Sequence, residues 1–392
     1  MSGAETELLI DRRGGLLRAA VVAGGRLTDL HIDRDDRVLP EAGSVWLGRV
    51  ERIAAGLNAA FIDLGTGKAG LLGLADVRLG NRNRPEPGTA IGTVLHGGQA
   101  LLVQVKAEAT GAKGPTLAMD ISLPGRFLVH VPFRRGVTVS KRLGDGAMRA
   151  AQVLRLQALT VGDGWIARSG CETLADDGLI VAESESLALA WGDLVRRLGQ
   201  GGAPGCLCRG PDAARRAVIG HGARPLARLA VEAPVPWRSA FADWCAGAAP
   251  DLVPRLETVS GRLFERHDLE GQIAALMRPE VTLAGGAGLV IERTEALVAI
   301  DVNGGERGNP LAVNLEAAAE IARQLRLRNL GGIVVVDFLS MPKRADGERL
   351  LAALAVAVRG DPVQTEVYGL SRLGLVELTR ARRGPALQEL LS

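Results

Sequence analysis

The sequence predicts an α/β multidomain protein with a small closed β-barrel near its front, and three observations carry that reading. Two apolar runs, Ala296-Leu-Val-Ala-Ile300 and Ile333-Val-Val-Val336, flank an amphipathic helical stretch, and each leads directly to an aspartate. Between residues 44 and 121, short apolar runs recur at close intervals, separated by Gly-rich turns. Apolar residues make up 47% of the 392-residue chain, which argues against a disordered scaffold and allows two or more cores.

A net charge of +3 permits a nucleic-acid partner without demanding one. Six Phe, five Trp and one Tyr leave few platforms for stacking bases. Cys206 and Cys208 are too close for an ordinary bridge, and with Cys171 and Cys245 they give neither a disulfide framework nor a two-plus-two zinc spacing. A reduced, cytoplasmic setting fits best. The acidic first residues lack the apolar core of a signal peptide, and the longest apolar run, residues 350–358, is too short to span a bilayer, so no membrane partner is expected.

Taken in order, residues 1–38 read as a small β-meander: Glu7-Leu-Leu-Ile10, Leu17-Arg-Ala-Ala-Val-Val22, a Gly24-Gly25 turn, then Leu27-Thr-Asp-Leu-His-Ile32. It is too small to bury itself and should pair with something later. Residues 39–122 give Val45-Trp-Leu-Gly-Arg-Val-Glu-Arg-Ile53, Asn58-Ala-Ala-Phe-Ile-Asp-Leu64, Ala69-Gly-Leu-Leu72, Ala100-Leu-Leu-Val-Gln-Val-Lys106 and Thr116-Leu-Ala-Met-Asp-Ile121. About five such strands suggest a closed barrel of the OB type.

Residues 123–213 hold Trp165-Ile-Ala-Arg168-Ser169-Gly170, a strand running into a turn, then a helical pattern over residues 187–198 and a flexible Gly-rich connector. An Arg followed by a hydroxyl residue at a strand end can grip a terminal phosphate, although a surface turn is the ordinary reading of a bare dipeptide. The run of Arg134, Arg135, Lys141 and Arg142 reads as a solvated loop or a phosphate track. Residues 214–278 look mostly helical with short strands.

In residues 279–392 the strand–helix–strand order implies parallel strands whose carboxyl ends share one edge of the sheet. Asp301, Asn303 and Asp337 would converge there, and two carboxylates with an amide make an all-oxygen site suited to Mg2+ or Mn2+. Either aspartate alone would read as a helix cap or a turn residue; the pair tips the balance to a metal site. On the helix between them, Leu315, Ala318, Ile321, Ala322 and Leu325 form the apolar stripe, and Asn329 and Gly331 supply the stop. Arg323, Arg326 and Arg328 read as a solvated face within reach of phosphate. A further helix through Leu350 and Leu354 and a closing strand over residues 369–379 complete the unit.

Asn314-Leu-Glu-Ala-Ala-Ala-Glu-Ile-Ala-Arg-Gln-Leu-Arg-Leu-Arg-Asn-Leu-Gly-Gly332, the preceding Thr294-Glu-Ala-Leu-Val-Ala-Ile-Asp-Val-Asn303 and the later Ser371-Arg-Leu-Gly-Leu-Val-Glu-Leu-Thr-Arg380 resemble the ribonuclease E/G family. The resemblance implies an S1-type OB barrel inserted in a ribonuclease H-like domain (residues 1–38 and 214–278), a 5′-end sensor region at 123–213 and a DNase I-like catalytic domain at 279–392. It implies a magnesium-dependent endoribonuclease acting on single-stranded RNA, with Asp301 and Asp337 on the metal and Asn303 assisting. Phe61 would stack on a base and Lys113 would contact RNA, where a strand Phe is otherwise core and a turn Lys otherwise solvated. Arg168 and Ser169 would sense a 5′-monophosphate.

The chain departs from the family pattern in four places. Gly-Gly-Glu-Arg-Gly-Asn-Pro310 replaces a longer loop, Leu71 stands where a second barrel aromatic is usual, and Ser340 replaces an acidic residue. The sequence ends at Ser392 without the Cys-Pro-x-Cys zinc link, so no zinc is expected and any homo-oligomer is not zinc-linked. Two rival readings stand beside the enzyme: an RNA-binding protein with weak or no cleavage, and a magnesium-dependent phosphohydrolase of small molecules. The retained Asp301, Asn303 and Asp337 argue against the first, and the barrel argues against the second.

Overall fold

The structure is a computed structural model and describes residues 5–36, 40–80, 83–109, 113–139, 146–168 and 170–391. It divides into two compact units, Met1–Ala19 with Asp33–Val259, and Ala20–Ile32 with Ser260–Ser392. Strands β1 (Thr6–Arg13), β2 (Leu16–Ala23) and β3 (Arg26–Arg34) form the expected meander. It turns at Gly14-Gly15 and Gly24-Gly25, where all four residues have φ between 56° and 78°. Two successive positive φ values match the twist of a tight hairpin, and only glycine adopts them without strain.

In the first unit, β4 (Val45–Ala54), β5 (Ala59–Asp63), β6 (Gly70–Gly73), β7 (Ala100–Ala107) and β8 (Thr116–Ala118) run in the order β4-β5-β6-β8-β7. Strand β4 also pairs with β7, which closes the barrel that the sequence predicts. Alternate residues point inward, so Trp46, Val50, Ile62, Leu72, Val103 and Leu117 fill the interior.

A second, four-stranded sheet is built from β9 (Leu123–Pro124), β10 (Leu128–His130), β11 (Val137–Thr138) and β12 (Trp165–Ala167), with helix α1 (Gly146–Leu159) between the last two. Helix α2 (Asp177–Gln200) is longer than the spacing suggests because Asp176 caps it, accepting from the Gly178 N–H at 2.9 Å. The Gly-rich connector after it is not loop throughout. Its second half is strand β13 (Gly205–Cys208), which takes the ladder positions that Val45–Leu47 leave open, with Cys206 packed on the barrel core. Helix α3 (Ala213–His221), β14 (Arg228–Glu232), helix α4 (Val235–Ala248) and β15 (Leu256–Thr258) follow, and β1 lies parallel to β14, which lies parallel to β15.

The second unit adds helices α5 (Leu263–Arg266) and α6 (Leu269–Leu276), then a sheet from β16 (Glu280–Thr282), β17 (Gly288–Arg293), β18 (Leu297–Asn303), β19 (Gly332–Asp337), β20 (Thr365–Leu370) and β21 (Val376–Arg380). The order is β16-β17-β18-β19-β21-β20. Helix α7 (Pro310–Leu327) is the crossover between the parallel strands β18 and β19; α8 (Arg344–Val358) and the short α9 (Leu387–Leu391) follow later in the chain. Val298, Ile300, Val302, Val334 and Val336 share a core with Val313, Ala317, Ile321, Leu325 and Leu354. The alternate set is less covered: Ile333 is 53% exposed, so these apolar runs are buried on one face rather than both. The closing strand is a hairpin instead. Gly374, at φ 87°, reverses the chain between β20 and β21, and the Ser371 N–H donates to the Leu375 carbonyl at 2.8 Å.

The arginines of α7 are not a solvated face. Within the second unit, Arg323 Nε donates to the Leu27 carbonyl at 2.8 Å, and Arg326 donates to the Thr28 carbonyl at 2.7 Å. Gln272 Oε1 accepts from the Leu27 N–H at 2.8 Å, so side chains satisfy the outer edge of β3. Glu320, 5% exposed, accepts from Arg26, Arg323 and Gln324, and Arg328 Nε donates to Gln324 at 2.6 Å. Burial lowers the Arg323 and Arg328 guanidinium pKa values from their ordinary level.

Candidate functional site

Strand alternation sets the site. Ile300, Val302 and Val336 turn into the core, so Asp301, Asn303 and Asp337 turn the other way, and all three are exposed. Because β18 and β19 are parallel and in register, Asp301 sits directly across from Asp337. Asn303, two residues on, donates from Nδ2 to Asp301 Oδ2 at 2.9 Å. The structure therefore brings together the three residues that the sequence singles out in this unit.

The segments that follow the two aspartates are held firmly. After β18, Gly305 has φ 57°, and a Cβ there would lie 2.4 Å from the Gly286 carbonyl oxygen, so only glycine lets the turn close. Arg307 ion-pairs with Glu316 and donates to the Ala284 carbonyl at 3.1 Å, while Glu316 Oε1 accepts from the Ala284 N–H at 2.9 Å. The Arg307 bond, aided by that N–H, holds the Glu316 carboxyl below its ordinary pKa. Asn309 caps α7 by accepting from the Ala312 N–H at 3.2 Å, with Pro310 in the first turn.

After β19, the fully buried Asn314 of α7 donates to the Leu339 carbonyl at 2.8 Å and accepts from the Leu339 N–H at 3.0 Å. Sequence reasoning missed Asn314. A polar residue beside the apolar stripe of a helix is the signal that could have found it, since a buried amide needs partners.

Magnesium keeps several waters and takes one or two carboxylates from a protein. Two solvent-facing carboxylates at one register level, with a neighbouring amide, fit that requirement. Among the described residues, no group of three or more His, Cys, Asp and Glu side chains is arranged to hold a metal.

The other predicted residues lie in the first unit. Phe61 is half-buried on β5, opposite Arg52 on β4 and Leu71 on β6. Lys113 is exposed just ahead of β8. Arg168 is half-buried at the end of β12, where its N–H donates to the Phe127 carbonyl at 2.8 Å. Ser169 lies outside the described residues, as do Lys141 and Arg142.

The Arg168 turn rests on a buried clamp. Glu183, 4% exposed, accepts from the N–H groups of Arg126, Phe127 and Leu128, and Arg126 pairs with Asp251. Burial raises the Glu183 carboxyl pKa, against the pull of those three N–H groups. Burial also pushes the Cys171 and Cys245 thiols up to about 11 and about 12, so neither is a thiolate at neutral pH. No helix among the described residues is long and apolar enough to cross a membrane.

Comparison with known proteins bears on all of this. The Ribonuclease E/G family profile matches residues 122–383. Ribonuclease G of Salmonella typhimurium is 31% identical over a 405-residue alignment covering 98% of this chain and 81% of that protein. Ribonuclease G of Escherichia coli gives the same identity and coverage. Ribonuclease E of Synechocystis sp. is 34% identical over 367 residues, 89% of this chain and 53% of that protein, so the chain spans about half of that longer relative. A profile match over more than half of the sequence, with relatives above 30% identity along nearly all of it, means that the chain belongs to the ribonuclease E/G family.

Proposed function

We propose that this protein is an endoribonuclease that hydrolyses single-stranded RNA with a magnesium ion held by Asp301 and Asp337. The observation that carries the reading is the in-register placement of two exposed aspartates on adjacent parallel strands, with Asn303 bonded to one of them. When bound there, the metal supplies Lewis-acid stabilisation of the scissile phosphate and a nucleophilic water at neutral pH. Asn303 orients the Asp301 carboxylate through its Nδ2–H bond. Asn314 fixes the backbone just beyond Asp337.

The finer parts of the reading rest on the family resemblance. The barrel is an S1-type RNA-binding domain, with Phe61 and Lys113 belonging to its RNA-binding face. The sheet around β1 and β14 is ribonuclease H-like, and the β18–β19 unit is DNase I-like. Arg168 and Ser169 sense a 5′-monophosphate: a guanidinium fork and a hydroxyl give one terminal phosphate several charge-assisted bonds. Single-stranded substrate follows because a small barrel reads splayed bases rather than duplex grooves. The products carry a 5′-phosphate and a 3′-hydroxyl.

The test is cleavage of a short A/U-rich RNA in magnesium, with 5′-monophosphate and 5′-hydroxyl forms compared for wild type and Asp301→Asn. Cleavage by wild type, loss in the variant and a faster monophosphorylated substrate support the metal site and the sensor together. Wild-type protein that binds the RNA and never cuts it, in magnesium or manganese, would establish a binding protein instead.

A further inference from the structure

Strand β4 carries a one-residue irregularity that decides what the barrel shows to solvent. Val50 lies opposite Ile62 and Arg52 lies opposite Phe61, which leaves Glu51 without a counterpart on β5. In an unbroken ladder Glu51 would face Phe61; the extra residue re-aims the strand and puts a cation there. The register then runs Arg52–Phe61–Leu71–Thr116 across β4, β5, β6 and β8. Arg52 is exposed, and its guanidinium carbon lies 3.9 Å from the centroid of the Phe61 ring. One face of the Phe61 ring thus already carries a planar cation.

We propose that the stacking platform of this barrel is the Arg52 guanidinium, backed by the Phe61 ring, so that a base of single-stranded RNA lies on Arg52 and not on Phe61 directly. This rests on the RNA-directed reading above. A guanidinium presents a flat π surface on which bases stack, and it adds a positive charge for a flanking phosphate. Leu71 gives the row an apolar floor without a second ring, so the flat surface has to come from the other side, where Arg52 stands. Phe61 then acts as a positioning residue that holds the guanidinium in place.

The experiment measures binding of the full chain to fluorescently labelled decauridine and to an abasic decamer, in EDTA so that no cleavage intervenes, across a salt series. Arg52→Lys keeps the charge and removes the plane. It is expected to weaken decauridine binding by roughly 5- to 50-fold, to leave abasic binding unchanged and to keep the wild-type salt slope. Arg52→Ala is expected to weaken both ligands and to reduce the slope by about 0.7. Phe61→Leu should behave as Arg52→Lys does, with equal melting temperatures confirming that all variants fold.

Decauridine binding by Arg52→Lys as tight as wild type would overturn the platform, as would a wild type that does not distinguish decauridine from the abasic strand. Wild type that binds neither ligand removes the RNA-directed reading as well, so the two failures are told apart.

Discussion

Two carboxylate pairs occupy the same kind of position in the two units. Asp11 on β1 lies across from Glu232 on β14, as Asp301 on β18 lies across from Asp337 on β19, and both strand pairs are parallel. Their surroundings differ. Asp11 is 1% exposed, Arg18 stands 3.3 Å from its Oδ2, and Arg13 stands 3.7 Å from Glu232. Burial first, and then Glu232, raise the Asp11 pKa, while Arg18 opposes them. Asp301 and Asp337 are exposed, and among the described residues no lysine or arginine pairs with either. One pair is neutralised by the chain itself and serves the fold. The other faces solvent with no cation from the described residues beside it, as the proposed magnesium site requires. Register alone therefore does not distinguish the two pairs; the internal cation beside one and the open face of the other do.

The sharpest break of this contrast is Asp301→Asn. Single-turnover RNA cleavage should fall by roughly 10³-fold or more, a loss of about 4 kcal/mol in transition-state stabilisation. The melting temperature in EDTA should stay at the wild-type value, and the rise in melting temperature on adding magnesium should disappear. A variant that keeps its magnesium response would remove Asp301 from the metal.

Arg18→Met tests the other pair. It leaves the buried Asp11 carboxylate without the cation beside it, and urea unfolding should show a loss of about 3 kcal/mol. Cleavage per folded molecule should be unchanged. Unaltered stability would mean that the two pairs differ less than their surroundings suggest.

Asn314→Ala acts next to the open pair. It leaves the Leu339 N–H and carbonyl without partners and should cost about 1–3 kcal/mol of stability. It should also lower cleavage at saturating magnesium, because the chain beyond Asp337 is no longer pinned; a stability loss with unaltered cleavage would make Asn314 purely structural.

The smallest effect is a pH slope. The folded Asp11 pKa lies above 3.8, so between 3.8 and its folded value the native chain holds more protons than the unfolded one. Its contribution to stability is fully present below 3.8 and is lost as pH rises through the folded value. Asp11→Asn should flatten that segment of the stability–pH curve, measured by urea midpoints; an unchanged segment would assign the slope to other groups, Glu183 first.

Much of this was legible because it follows from alternation. The residues before the two aspartates dictate strands, and the parity of each strand sends Asp301, Asn303 and Asp337 to one side. The closed barrel was legible for the same reason. Parity also hides one feature: the extra residue at Glu51 changes which side Arg52 occupies, and nothing in Val-Glu-Arg announces it. The arginines of α7 were misread because helical spacing shows one apolar stripe. It does not show that residues near 27, about three hundred positions earlier, bring backbone carbonyls to the opposite face. The closing hairpin was taken for one strand because its turn, Ser371 to Leu375, contains two leucines and only one glycine.

The docking of β3 on α7 also bears on how the chain is made. Leu27 and Thr28 leave the ribosome long before Arg323 and Arg326, their hydrogen-bond donors. At elongation rates of about 5–20 residues per second the interval is roughly 15–60 s. Through that time the outer edge of the early hairpin waits with unpaired carbonyls, an invitation to mispairing with neighbouring nascent chains. The second unit is thus completed by reaching back to one of the first segments synthesised, and a message truncated before residue 323 would release a chain with that edge still open.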